Sequence, residues 1–161
     1  MSRGADLLTT TLSAAHAAAL SVAGTMVARF SFLGGDSSVD PNNRVVACLD
    51  NGSNRIQSYN LSGGLGGYAN GTAPMAISLA GTIATNTPTK LAVAYSANDG
   101  AACKNGGTVG TDTAMDVPAV TRLTVGGFSY TSASGILSGL VHSLAVYTSR
   151  LTDAQLQALT A

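Results

Sequence analysis

The 161-residue chain is expected to be all-β, an antiparallel sandwich of short strands. Two observations carry that expectation. Apolar residues recur at every second position in short runs, the signature of strands with one buried face. Gly, Asn, Asp and Pro punctuate these runs at short intervals, as turns between antiparallel strands require, and one of them is Asn105-Gly106, the strongest short-range hairpin signal.

Residues 1–24 read as an N-terminal arm, with a polar start and an Ala-rich piece, Ser13–Leu20. Alanine favours helix, so a short helix and an extended arm lying on a neighbour are both open. The sandwich is expected over 25–161. In its first strand Met26, Ala28, Phe30 and Phe32 alternate with Val27, Arg29 and Ser31, and Gly34-Gly35-Asp36 and Pro41-Asn42-Asn43 bracket the loop that follows. Val45, Ala47 and Leu49 alternate next, Asp50-Asn51-Gly52 turns the chain, and Arg55–Leu61 returns with Ile56 and Ser58 on one face.

Ser62–Gly71 holds Gly63, Gly64, Gly66, Gly67 and Gly71. No Lys-[Ser/Thr] follows and no helix opens, which excludes a phosphate cradle and leaves a mobile or tightly turned surface loop. Met75, Ile77 and Leu79 form a further alternating strand, Thr85–Pro88 turn, and Leu91, Val93 and Tyr95 alternate with Lys90, Ala92 and Ala94. A hairpin is expected around Asn105-Gly106-Gly107, because both central residues of a type I′ turn need positive φ. Strands near Val120–Val125 and from Leu137 into Tyr147 follow. Thr152 and Gln155 then make a capping box for a short helix, Thr152–Leu159, with Asp153 at its positive end. Leu151, Leu156 and Leu159 would pack it onto the sandwich.

Bulk properties narrow the function classes. A chain of this size buries about 70% of the surface it exposes when unfolded, enough for a core without disulfides or metals. Formal net charge is zero, only 10% of residues are charged, and there is no glutamate. That excludes a nucleic-acid partner, which needs clustered Lys and Arg. No charged side chain falls between Ile56 and Thr89, so that surface is covered by Ser, Thr, Asn and Gly or by another protein. Leu7–Ala28 is too often interrupted by Thr, Ser and His16 for a membrane span. Cys48 and Cys103 lack metal or redox spacing and read as reduced, partly buried small hydrophobes; a bridge would require neighbouring strands.

The C-terminal third carries a family resemblance. Asn105-Gly106, Leu123-Thr124-Val125-Gly126, and the final run of Tyr147, Arg150, Leu151, Thr152, Leu156 and Leu159 resemble concanavalin A-like (laminin-G-like) jelly-roll domains of tailed-bacteriophage virion proteins. The likeness extends from about residue 25 to the end and is most specific from Lys90 onward. It implies an antiparallel jelly-roll β-sandwich. It also implies a non-enzymatic virion protein that decorates or cements the capsid or forms a head-fibre base, held by the major capsid protein or other virion proteins and trimeric. Assembly would occur in the reducing bacterial cytoplasm, which favours free thiols. The alternative is a lectin-like fibre tip that recognises cell-surface glycan.

Chemistry is sparse. Retaining glucanases of this fold need two carboxylates about 5–5.5 Å apart; the chain offers eight aspartates, with Asp112 and Asp116 flanking a loop rather than a strand. His142, between Leu140 and Leu144, reads as a hydrogen-bonded core histidine, and His16 lies in the Ala-rich leader. Asp36, Asp40, Asn42, Asp50, Asn51, Asp99 and Asp112 are oxygen ligands that Ca²⁺ could use, but Asp and Asn occupy loops simply to stabilise turns. No cofactor, metal or catalytic residue is therefore expected. Without tryptophan, sugar stacking falls to tyrosine; Tyr95 and Tyr147 read as core, which leaves Tyr68 and Tyr130 as glycan or partner contacts.

Overall fold

A computed structural model describes residues 8–33, 44–61, 64–80, 84–127 and 135–161. Period-2 alternation becomes two antiparallel sheets because each strand has one face to bury. The strands are β1 (Leu8–Thr11), β2 (Ala23–Phe32), β3 (Arg44–Asp50), β4 (Arg55–Leu61), β5 (Gly64–Asn70), β6 (Met75–Leu79), β7 (Thr89–Ser96), β8 (Asp99–Lys104), β9 (Gly110–Asp112), β10 (Arg122–Val125) and β11 (Gly139–Tyr147). Helices α1 (Ala14–Leu20) and α2 (Asp153–Thr160) lie near the two ends. The first sheet runs β1-β10-β3-β4-β5-β6 and the second β11-β2-β7-β8-β9. This is the expected all-β sandwich of jelly-roll type with a short C-terminal helix.

The core lies between the sheets. Met26, Phe30, Leu91, Val93 and Tyr95 of the second sheet meet Leu49, Ile56, Leu65 and Met75 of the first. The outward residues of β7 and β8 are small, namely Ala92, Ala94, Ala101 and Cys103, which lets α2 settle on them with Leu156 buried. Thr152 caps that helix, its hydroxyl accepting from Gln155 N while Gln155 Oε1 accepts from Thr152 N. Leu159, expected to help pack α2, is 38% exposed.

Several expectations are corrected. The glycine-dense segment is strand rather than loop: Gly64–Asn70 pairs with β4 on one side and β6 on the other. The reason is steric. A Cβ on Gly66 would lie 1.7 Å from the Ile77 carbonyl oxygen, and one on Gly67 would lie 2.7 Å from Val93 in the opposite sheet. Glycine here permits close approach rather than mobility. The hairpin expected around Asn105-Gly106-Gly107 is present, joining antiparallel β8 and β9, with Asn105 and Gly106 at φ 47° and 67°. The sequence reading missed a further tight turn at Ala97-Asn98, with Asn98 at φ 57°, which closes β7 on β8. The apolar alternation of β3 is broken by a bulge at Val46, so Val46 joins the core and Val45 turns outward. His142 sits at a second bulge, exposed at the edge of the sheet instead of in the core, and is hydrogen-bonded to Ser31 at 3.1 Å.

Of the segment expected as an arm, residues 8–24 lie against this chain's own sandwich. Leu8–Thr11 adds an edge strand to β10, Leu20 is 1% exposed within the core, and Tyr95 donates its hydroxyl to the Leu20 carbonyl at 3.0 Å. Cys48 and Cys103, expected to be partly buried, are both buried free thiols. Among the described residues no helix is long and apolar enough to cross a membrane.

Candidate functional site

The outer face of the first sheet gathers polar side chains in two lateral rows. Strand register aligns Arg122, Asp50, Arg55 and Asn70 across β10, β3, β4 and β5. Two residues along each strand, Thr124, Cys48, Gln57 and Tyr68 align on the same face. Side-chain alternation sets both rows opposite Leu49, Ile56 and Ala69, which point into the core. The bulge at Val46 brings Val45 round to join Cys48, Tyr59 and Tyr68 in a small apolar patch beside the rows.

Tyr68, singled out from the sequence, lies at the β5 end of the second row. Its half-buried ring meets Tyr59 edge-on, with centroids 5.7 Å apart, and the Arg55 guanidinium lies 5.7 Å from the ring centroid. Tyr59 is 4% exposed, and burial first, then its neighbour Tyr68, raises its phenol above the ordinary value of 10.0. It is a neutral group at physiological pH. Tyr130 lies outside the described residues.

The floor of the face is polar and poorly satisfied. Asp50 is 2% and Gln57 4% exposed. Asp50 Oδ1 collects three donors: Arg122 Nε at 2.7 Å, Arg122 Nη2, and Gly52 N at 2.8 Å. Asp50 Oδ2 and Gln57 Oε1 are buried with no hydrogen-bond partner among the described residues. Buried polar atoms are ordinarily paired, so two unmatched acceptors on one face call for an explanation. Sequence reasoning did not pick out Gln57, Arg55 or Arg122 as site residues. The available signal was the parity of β4, which sets Arg55, Gln57 and Tyr59 opposite Ile56 and Ser58.

The remaining candidates are committed to local structure. Asp112 accepts from Ala76 N and Ala114 N, and Asp116 from Thr72 N and Ala73 N, so both carboxylates staple backbone. Asn51 caps its own turn through Ser53 N and Asn54 N, and Asp99 pairs with Arg150. Asp36, Asp40 and Asn42 lie outside the described residues. Among the described residues no group of three or more His, Cys, Asp or Glu is placed to hold a metal ion. Cys48 is pushed far above the ordinary thiol range, by burial first and then by Asp50, which leaves it a poor nucleophile.

No family model and no curated protein matches this chain. Solved structures do. The CBM40 of the Ruminococcus gnavus IT-sialidase superposes with a TM-score of 0.67 at 15% identity, covering 95% of this chain and 98% of that one. The same CBM40 bound to α2,3 sialyllactose gives 0.63 at 17% identity, over 89% and 85% of the two chains. A heptameric SAP-like pentraxin from Limulus polyphemus gives 0.64 at 18%, over 86% and 70%. The K499G mutant of the NanB sialidase from Streptococcus pneumoniae gives 0.70 at 14%, over 93% of this chain but 26% of the sialidase. At these identities the shared property is the fold: a lectin-type antiparallel sandwich.

Proposed function

We propose that the domain is a non-catalytic glycan-recognition module whose binding face is the outer side of the first sheet around Tyr68. The observation that carries this reading is the juxtaposition of a half-buried aromatic ring with buried, unmatched polar atoms. A pyranose presents an apolar face that stacks on a ring and hydroxyls that bond to the side chains around it. The likeness to CBM40 and pentraxin folds supports the same reading. The carboxylates Asp112 and Asp116, both spent on backbone amides, support binding without bond cleavage.

A glycan array followed by calorimetry on the best binder tests it. Tyr68→Ala should weaken binding at least about tenfold, and Tyr68→Phe, which keeps the ring, should retain most of it. Equal affinity for Tyr68→Ala and the parent chain would overturn the assignment.

A second reading follows from the C-terminal resemblance: attachment to a virion, as a trimeric capsid-decorating protein or a fibre tip, through the major capsid protein or other virion proteins. Strand β11 favours a protein-docking role. It is a nine-residue edge strand without Lys, Arg, Asp or Glu, and it exposes 53% of Leu140 and 36% of Tyr147. Edges are ordinarily guarded by charge or cover. Imaging labelled virions discriminates: many copies at capsid symmetry fit decoration, and a few copies at the tail fit a glycan-reading tip.

A further inference from the structure

Resting on the glycan reading above, we infer that the face selects a neutral sugar through an adjacent pair of hydroxyls, with Asp50 Oδ2 and Gln57 Oε1 as the two acceptors. Asp50 and Gln57 are diagonal neighbours on β3 and β4, with Cys48 paired to Gln57 and Asp50 paired to Arg55. Diagonal neighbours on one face stand about 7–8 Å apart at the backbone. Side chains converging from that spacing can meet two hydroxyls on adjacent ring carbons.

The chemistry of the unmatched atoms sets the class. Both are acceptors, so the group that completes them must donate. A hydroxyl does; a sugar carboxylate or sulfate does not, and would set a second negative charge against Oδ2. The three donors on Oδ1 hold the Asp50 carboxylate in one orientation and leave Oδ2 without one among the described residues. Tyr68 on the neighbouring strand, paired in register with Gln57, supplies the ring against which the sugar face lies. Arg122, which clamps Asp50 Oδ1, and Arg55, which lies over the Tyr68 ring, flank Asp50 in the same lateral row.

The test uses the full chain and two probe panels, neutral oligosaccharides ending in mannose, galactose or glucose, and counterparts ending in a uronic or sialic acid. Neutral probes should bind, and O-methylation of the best one should abolish binding, because the donors are gone. Gln57→Met keeps the side-chain length, removes the acceptor and should lower affinity for that probe at least about tenfold. Its melting temperature should stay level or rise, since a buried unmatched polar group is removed. Neutral binding untouched by Gln57→Met or by O-methylation would overturn the inference. Binding of acidic probes alone, lost in Tyr68→Ala, would overturn it while leaving the site reading intact. No binding in either panel would overturn both.

Discussion

Tyr95 is the largest fully buried side chain of the core, and its hydroxyl reaches the Leu20 carbonyl at the end of α1. Burial pushes its phenol well above the ordinary value of 10.0. The sign follows directly: the unfolded chain releases this proton first, so the folded state loses stability as pH climbs above about 10. Below that value the contribution is constant. Alkaline denaturation should therefore set in from about pH 10, and Tyr95→Phe should flatten the stability curve in that range. At neutral pH the same variant should cost about 1 kcal/mol for the lost hydrogen bond. Urea melts at pH 7 and pH 10.5 measure both effects; an equal pH slope in the two proteins would count against a protonated Tyr95.

Element by element, the outcome turns on backbone contacts. Strand β5 exists because glycine lets β6 and the opposite sheet come close, so its composition resembles a loop while its neighbours make it a strand. A methyl group at Gly66 would collide with the backbone of β6, and backbone cannot rotate away as a side chain can. Gly66→Ala is expected to destabilise by about 2–3 kcal/mol, the range of overpacking in a well-packed interior. Thermal unfolding reads this, and a melting temperature within a degree of the parent's would refute the close approach. The bulge at Val46 has the opposite origin, one added residue that flips Val45 to the outer face and so helps build the patch around Tyr59 and Tyr68. Bulges leave no mark in a period-2 pattern, since Val45 and Val46 are both apolar.

At the scale of the whole molecule, the segment before β2 and the helix after β11 both complete the sandwich. Leu20 fills the core, Ser21 Oγ accepts from Val120 N at 3.0 Å, and β1 extends the first sheet. A chain beginning at residue 25 is therefore expected to be less stable by at least the about 2–5 kcal/mol of a buried leucine truncation. Leu20→Ala alone should show a loss in that range. Chemical denaturation of both forms checks it, and parity with the full chain would mean that residues 8–24 are dispensable. At the other end, α2 covers a floor of alanines that would otherwise expose Ala92, Ala94 and Ala101 to water.

The amino-acid sequence by itself determined the fold class, the faces of β2, β6 and β7, and the capped C-terminal helix. Each of these depends on local chemistry: alternation and a capping box. Tertiary structure decided the rest. It turned a glycine-rich stretch into an inner strand, added a tight turn at Asn98, and set Arg122 beside Asp50, 72 residues away in sequence. Register and bulges set those neighbours. They come from how two sheets pack and pair, and a linear pattern holds no record of which strand lies beside which.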